Sequence, residues 1–248
     1  MTLTRILSNN ATDQEKEKNK DYRNVVIAQI IIVVSGLVLT SFTNYEEPAF
    51  KDKLIITLFS GFAAFYAFLL WDLLKDFTTN RKLIGVVLVV LSVITIVGLL
   101  GEFPFYKVLE IENRREYLFA LHASLFPIEV LVIGFAIRDL FSGNVFTSSK
   151  LWGAAAVYLM IGISFASLYD LINFVIPGSL GVHLTLGIES YSEFIYYSFA
   201  ILGGLDNAYQ NPEPVLRNIG VIEAVWGNLY AILIIGKLLG LPSKKEND

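Results

Sequence analysis

"YYSFAILGGLDNAYQNPEP", residues 196–214, decides how this chain must fold. An aromatic, apolar run enters the stretch. Two glycines, two acids, amides and two prolines follow, and after Pro214 the chain turns apolar again. Residues 191–202 (YSEFIYYSFAIL) carry a single charge. A helix over that run reaches about 18 Å at a 1.5 Å rise, roughly half a hydrocarbon core. Ser190 and Glu193 have the Ser-x-x-Glu spacing of a capping box, which predicts a helix start there. A half-membrane helix followed by irregular backbone is tolerated in lipid only where protein or a water-filled cavity surrounds it. The stretch therefore predicts a re-entrant helix and loop. The plainer alternative is an outer loop bearing an interfacial amphipathic helix.

The rest of the chain sets the membrane context. It is 54% hydrophobic and only 17% charged, with a mean hydropathy of +0.58, where a soluble domain carries about 25% charged residues. Apolar blocks at roughly 24–43, 54–74, 83–100, 117–137, 151–176 and 216–236 approach the length that crosses a bilayer, about 20 residues. Only helices keep such blocks' backbone groups bonded within one segment. The fold class is thus an all-α integral membrane protein: six transmembrane helices, with a re-entrant pore helix and filter loop between the fifth and sixth. The predicted organisation is a polar N-terminal segment 1–23, a four-helix peripheral domain 24–141, a pore domain 150–241 and a polar tail 242–248. Segment 1–23 lacks the apolar core of a signal peptide.

Charge placement sets orientation. With the N-terminus inside, the inner ends and loops hold 13 Lys and Arg residues, and the outer ones hold Lys51, Lys53, Lys107, Arg114, Arg115 and Arg217. The positive-inside rule then places both termini in the cytoplasm of a multi-pass protein and the stretch 177–215 outside. A net charge of −4 argues against a nucleic-acid partner. The chain has no cysteine and two histidines, His122 and His183, far apart in sequence. Disulfides and thiolate metal sites are excluded, and nothing suggests a histidine metal site. No cofactor is expected.

Three stretches carry a likeness: "FASLYDLINFVIPGSL" (165–180), "YYSFAIL" (196–202) and "VIEAVWGNLYAILIIGKLLGL" (221–241). In this order and spacing, they resemble the pore module of the potassium-channel superfamily, in particular bacterial six-helix proteins with a C-terminal two-helix pore. The likeness runs from about Trp152 to Leu241. It implies a homotetramer in the bacterial inner membrane, with a filter at Gly203, Gly204, Leu205, Asp206, Asn207 and Ala208. Glu193, Ser198 and Glu223 would support the pore helix. Asn228, Gly227 and Gly236 would line the cavity or form a gate. The filter departs from the family's Thr-Thr-Val/Leu-Gly-Tyr-Gly-Asp: aligned through Leu202 and Pro212, Asp206 and Ala208 replace both filter glycines and Gly204 replaces a threonine. A potassium filter is a stack of axial backbone carbonyls, and its glycines allow angles that a Cβ resists. Potassium selectivity is therefore not carried over. Four Asp206 carboxylates near one axis cannot all ionise cheaply without a cation between them. Such a ring predicts weak potassium-over-sodium discrimination and permeation or block by divalent cations. Alternatively, Asp206 turns aside to cap a backbone N–H.

Other residues invite a role. Glu129 falls near mid-membrane in the fourth block, where an ionised carboxylate is expensive, so it is expected to be neutral, paired or facing a cavity. His122 precedes it by seven residues on nearly the same helical face. Asp170 and Glu223 are expected to support the pore helix by hydrogen bonding. Gly220, Gly227 and Gly236 permit close helix contact or bending. The sequence reading is a poorly selective tetrameric cation channel that holds only permeating or blocking monovalent and divalent cations and contacts lipid. The alternative is a channel-like subunit that senses or assembles without conducting. An enzyme is not expected: no nucleotide-binding glycine motif, Ser/His/Asp set or metal cluster is evident.

A voltage sensor needs several regularly spaced cations, and the fourth block holds only Arg138, at its inner end. One charge moved through 100 mV is worth only about 2.3 kcal/mol. Any conductance should therefore depend weakly on voltage. A steep open-probability curve in symmetric salt, without a blocking ion, would contradict this.

Overall fold

The computed structural model describes residues 2–42, 49–101, 105, 111–142, 147–205, 209 and 211–240. Among these the chain is all helical, with the order α1 (Thr2–Phe42), α2 (Phe50–Phe77), α3 (Arg81–Gly101), α4 (Arg114–Phe141), α5 (Ser148–Val175), α6 (Ile188–Leu202) and α7 (Pro214–Leu239). Six of the seven are long and apolar enough to cross a membrane: Glu17–Val38 within α1, then α2, α3, α4, α5 and Pro214–Lys237 within α7. At 15 residues α6 spans only about 22 Å and cannot cross a core of about 30 Å.

The observed helices overrun the apolar blocks because helices do not stop where hydrophobicity does. α1 starts at Thr2, so the polar segment 1–23 is continuous with the first span rather than separate. α4 runs unbroken through Pro127.

The centre of the bundle is α5. Of its most apolar window 61% is buried, against 11% for α3, which lies at the rim. Helices α1, α4, α6 and α7 all pack on α5, and α1 also packs on α6. The four N-terminal helices therefore share a core with the C-terminal module. Gly36 of α1 marks the close approach: a Cβ there would lie 3.3 Å from Ile195 Cδ1 of α6. The interior contains Leu70, Leu73, Leu91, Val132, Val157, Tyr169, Phe194 and Tyr197.

Polar side chains cross between helices where lipid offers no water. Gln29 of α1 is buried, and its Nε2 donates to Ala156 O of α5 at 3.2 Å and to Tyr66 Oη of α2 at 3.4 Å. At the other end of α1, Lys18 pairs with Asp139 of α4 at 2.6 Å, and Tyr22 donates to the same carboxylate at 3.2 Å. Tyr230 of α7 donates to Ala154 O of α5 at 2.9 Å.

Chain connections at the far end of α5 are held by bonds to the backbone. Asn173 Oδ1 accepts from Gly178 N at 3.1 Å, and Glu213 N donates to Ser179 O at 2.8 Å. Gly181 has φ +83, and a Cβ there would lie 2.7 Å from the Asn211 carbonyl oxygen. Gly181→Ala should therefore lower stability by about 1–3 kcal/mol through backbone strain alone. Gly236→Ala, at a helical position with nothing within 4 Å of the new Cβ, should be neutral or stabilising by up to about 1 kcal/mol. Thermal unfolding midpoints in one detergent check the order of the two variants, and a lower midpoint for Gly236→Ala than for Gly181→Ala would refute it.

Candidate functional site

The site is built around α6. Its entry differs from the expected capping box. The N-cap is Gly187, at φ 108, and it makes no side-chain cap bond. Ser190 and Glu193 do not form a box, because both side chains are drawn elsewhere. Ser190 Oγ donates to Asp170 Oδ1 of α5 at 2.7 Å, and Glu193 accepts from the Tyr209 hydroxyl. One of the free N–H groups is satisfied from the preceding turn instead: Ser190 N donates to Thr185 O at 3.3 Å, and Tyr191 N makes the first helical bond, to Gly187 O at 3.0 Å.

The exit is a complete C-cap. Gly204 takes φ +65, and Leu205 N donates to Ala200 O at 2.9 Å while Gly204 N donates to Ile201 O at 3.1 Å. This is the Schellman pattern, which calls for a left-handed residue, usually glycine, just past the helix end. Phe199 O accepts from Gly203 N at 2.9 Å, and Leu202 O accepts from Tyr158 Oη of α5 at 3.2 Å. The last four carbonyls of α6 thus all have partners. Gly204, the residue that stands in place of a threonine in the family pattern, serves here as a helix terminator. The Gly-Gly pair after an apolar helical run is the sequence signal that identifies it.

One carboxyl group ties α5, α6 and α7 together. Glu223 of α7 is fully buried. It accepts from Tyr169 Oη of α5 at 2.5 Å and from Ser198 Oγ of α6. Ser198 Oγ also lies 2.8 Å from Gly162 O. Close helix approach makes this geometry reachable: a Cβ on Gly162 would lie 2.6 Å from Phe199 Cζ, and one on Gly227 would lie 2.4 Å from Leu202 Cδ2. Gly220 similarly sits against Ile201.

A second polar group lies at the start of α6. Asp170 is fully buried, and His122 Nδ1 of α4 lies 3.2 Å from its Oδ2. The His122 ring stands edge-on between Phe174 and Tyr191, 5.5 Å from each centroid. His122 thus lies beside Asp170. Glu129, its expected neighbour, lines a cavity that His122 also borders.

The other residues singled out by sequence are placed as follows. Gly203, Gly204 and Leu205 are exposed after α6, Leu205 at 68%. Asp206, Asn207 and Ala208 lie outside the described residues. Asn228 and Gly236 are exposed on α7, and Gly227 is buried against α6. Burial and then the Glu193 carboxylate push the Tyr209 hydroxyl well above its ordinary range, so it remains a donor to Glu193. Among the described residues no group of three or more His, Cys, Asp or Glu side chains could hold a metal.

Comparison with models of known protein families, with characterised proteins and with solved structures gave no match. The class that the fold defines is a multi-pass, all-helical membrane protein, and the likeness to potassium-channel pores rests on the residues quoted for it.

Removing one partner from the Glu223 group strands the other. Glu223→Leu should cost about 1–3 kcal/mol, because the Tyr169 hydroxyl loses its acceptor in a buried site. Tyr169→Phe should cost less in the Glu223→Leu background than alone. A double-mutant cycle on detergent-solubilised protein measures this coupling, and strict additivity would show that the contact contributes nothing.

Proposed function

We propose that the chain is one subunit of a homotetrameric cation channel that discriminates poorly between potassium and sodium. In this reading α6 is a re-entrant pore helix, residues 203–209 form the filter loop and α7 lines the pathway. The observation that carries it is a helix too short to cross, packed between the spans α5 and α7 and bonded to both by buried side chains.

Two further features support the reading. One subunit supplies a quarter of a filter, so the pore requires partners. α7 packs only on α5 and α6 to any extent, which leaves Val221, Ile222, Val225, Trp226, Leu229, Ile232 and Ile235 exposed along it. That broad apolar face suits neighbouring subunits and lipid. Glu193, Asp206 and Glu213 near the loop favour cations over anions. With α6 re-entrant, the six crossings put both ends of the chain on one side, and Lys and Arg placement makes that side the cytoplasm.

A non-conducting sensing or assembly subunit is the second reading. It is favoured by the α6 C-terminus, whose last four carbonyls already have partners and so offer less to an ion on the axis.

Purified protein should be tetrameric by light scattering corrected for detergent, and planar bilayers should show cation-selective single-channel steps. In the same bilayers Asp206→Asn should weaken divalent permeation or block by roughly tenfold, the scale of removing a charge a few ångströms from an ion in a wet site. Steps whose selectivity and divalent response are unchanged by Asp206→Asn would reject the carboxylate ring. A tetramer with no steps would reject conduction, and a monomer would reject the channel reading itself.

A further inference from the structure

Away from α6's exit, the helices border a partly open cavity of about 190 Å³ with walls drawn from α1 to α6. Its lining is mostly apolar, including Phe59, Ala64, Ile94 and Leu125. A wholly apolar cavity of about 150 Å³ takes up benzene, so the apolar part of this one has room for a compact apolar body of that order.

The cavity has a polar end. Glu129 borders it and is only 2% exposed; the Ser167 hydroxyl, also in the lining, acts on its carboxyl group, yet its Oε2 has no hydrogen-bond partner. A buried oxygen left in that state costs about 1–3 kcal/mol. Among the described residues no lysine or arginine lines the cavity, so there an anionic head group would find no counter-charge. The nearest basic group, His122, is already beside Asp170.

One wall of the cavity belongs to a span with a broad exposed apolar face. Ile94, Thr95, Gly98 and Leu99 of α3 form one wall, and α3 is the least enclosed span. Val89, Val93 and Ile96 on the same helix are exposed at 62%, 54% and 57%. A ligand that reaches the cavity past this face has already partitioned into the lipid.

We propose that this cavity is a binding site for a neutral, membrane-partitioned alcohol, its apolar body in the cavity and its hydroxyl on Glu129 Oε2. A hydroxyl both donates and accepts, so it satisfies the carboxyl group whichever oxygen carries a proton. The site does not depend on conduction. Because Gly187, Ile188 and Tyr191 form part of its wall, an occupant also touches the start of α6.

The test is photolabelling of the purified full chain in detergent with a diazirine-bearing octanol and with the matching octane that lacks the hydroxyl. Concentrations are referred to mole fraction in the micelle, and labelled sites are read by peptide mass spectrometry. Labelling by the alcohol should saturate, be displaced by excess 1-octanol, and fall on segments carrying Tyr66, Glu129 or Tyr191. The alkane should need about tenfold more for half-saturation, the factor expected for about 1.4 kcal/mol. Thr95→Phe, which fills the cavity, should remove this labelling and leave background labelling elsewhere unchanged. In Glu129→Leu the gap between alcohol and alkane should close while both still label. Non-saturable labelling of the wild-type chain, equal half-saturation by the two probes, or a gap that survives Glu129→Leu would each overturn the proposal.

Discussion

A helix too short to cross a bilayer, yet held among helices that do, must have its polar groups satisfied by protein. That constraint governs the middle of this molecule. The entry of α6 draws on Thr185, Gly187 and Asp170, its middle on Glu223 through Ser198, and its exit on the Gly203–Gly204 turn and Tyr158. The side-chain ties lead to α5 or α7, so the placement of α6 depends on those two spans being correctly packed. α5 is accordingly the most enclosed span. Glycines at 162, 220 and 227 sit where a Cβ would strike α6 side chains, which lets the helices approach closely enough for the buried bonds to form.

Much of this architecture was legible in the sequence. The six spans follow from block length alone, because lipid leaves a long apolar segment little choice but helix. The short helix was legible too, since 191–202 is apolar but half the needed length. Its ends were less so. Ser190 and Glu193 have capping-box spacing, but Ser190 instead meets Asp170, twenty residues earlier and one helix away. Local spacing cannot reveal a competitor supplied by tertiary packing. The same holds for His122, whose near-equal facing with Glu129 was legible but whose partner proved to be Asp170. The start of α1 was missed for a different reason: apolar content marks where a helix enters lipid, not where it begins.

The cavity beside Glu129 was the least legible feature. Sequence identified an expensive carboxyl near mid-membrane, but the space next to it arises from six helices that fail to close completely. It links two parts of the molecule that the domain reading had separated. The N-terminal helices supply most of its walls, while Tyr191 and Ile188 belong to the helix on which the proposed pore depends. Together with the packing of α1 on both α5 and α6, it joins the N-terminal helices to the C-terminal module through shared walls.

The central claim is that α6 enters and leaves on one side of the membrane, and the absence of native cysteine makes a direct test simple. Val182→Cys and Asn211→Cys flank α6 and its loop at exposed positions, and Asn80→Cys lies in the exposed turn between α2 and α3. In sealed right-side-out vesicles, a membrane-impermeant maleimide should label the first two variants, and should label Asn80→Cys only after permeabilisation. If Val182→Cys and Asn211→Cys instead fall on opposite sides, α6 and its loop cross the membrane, and the re-entrant pore is wrong.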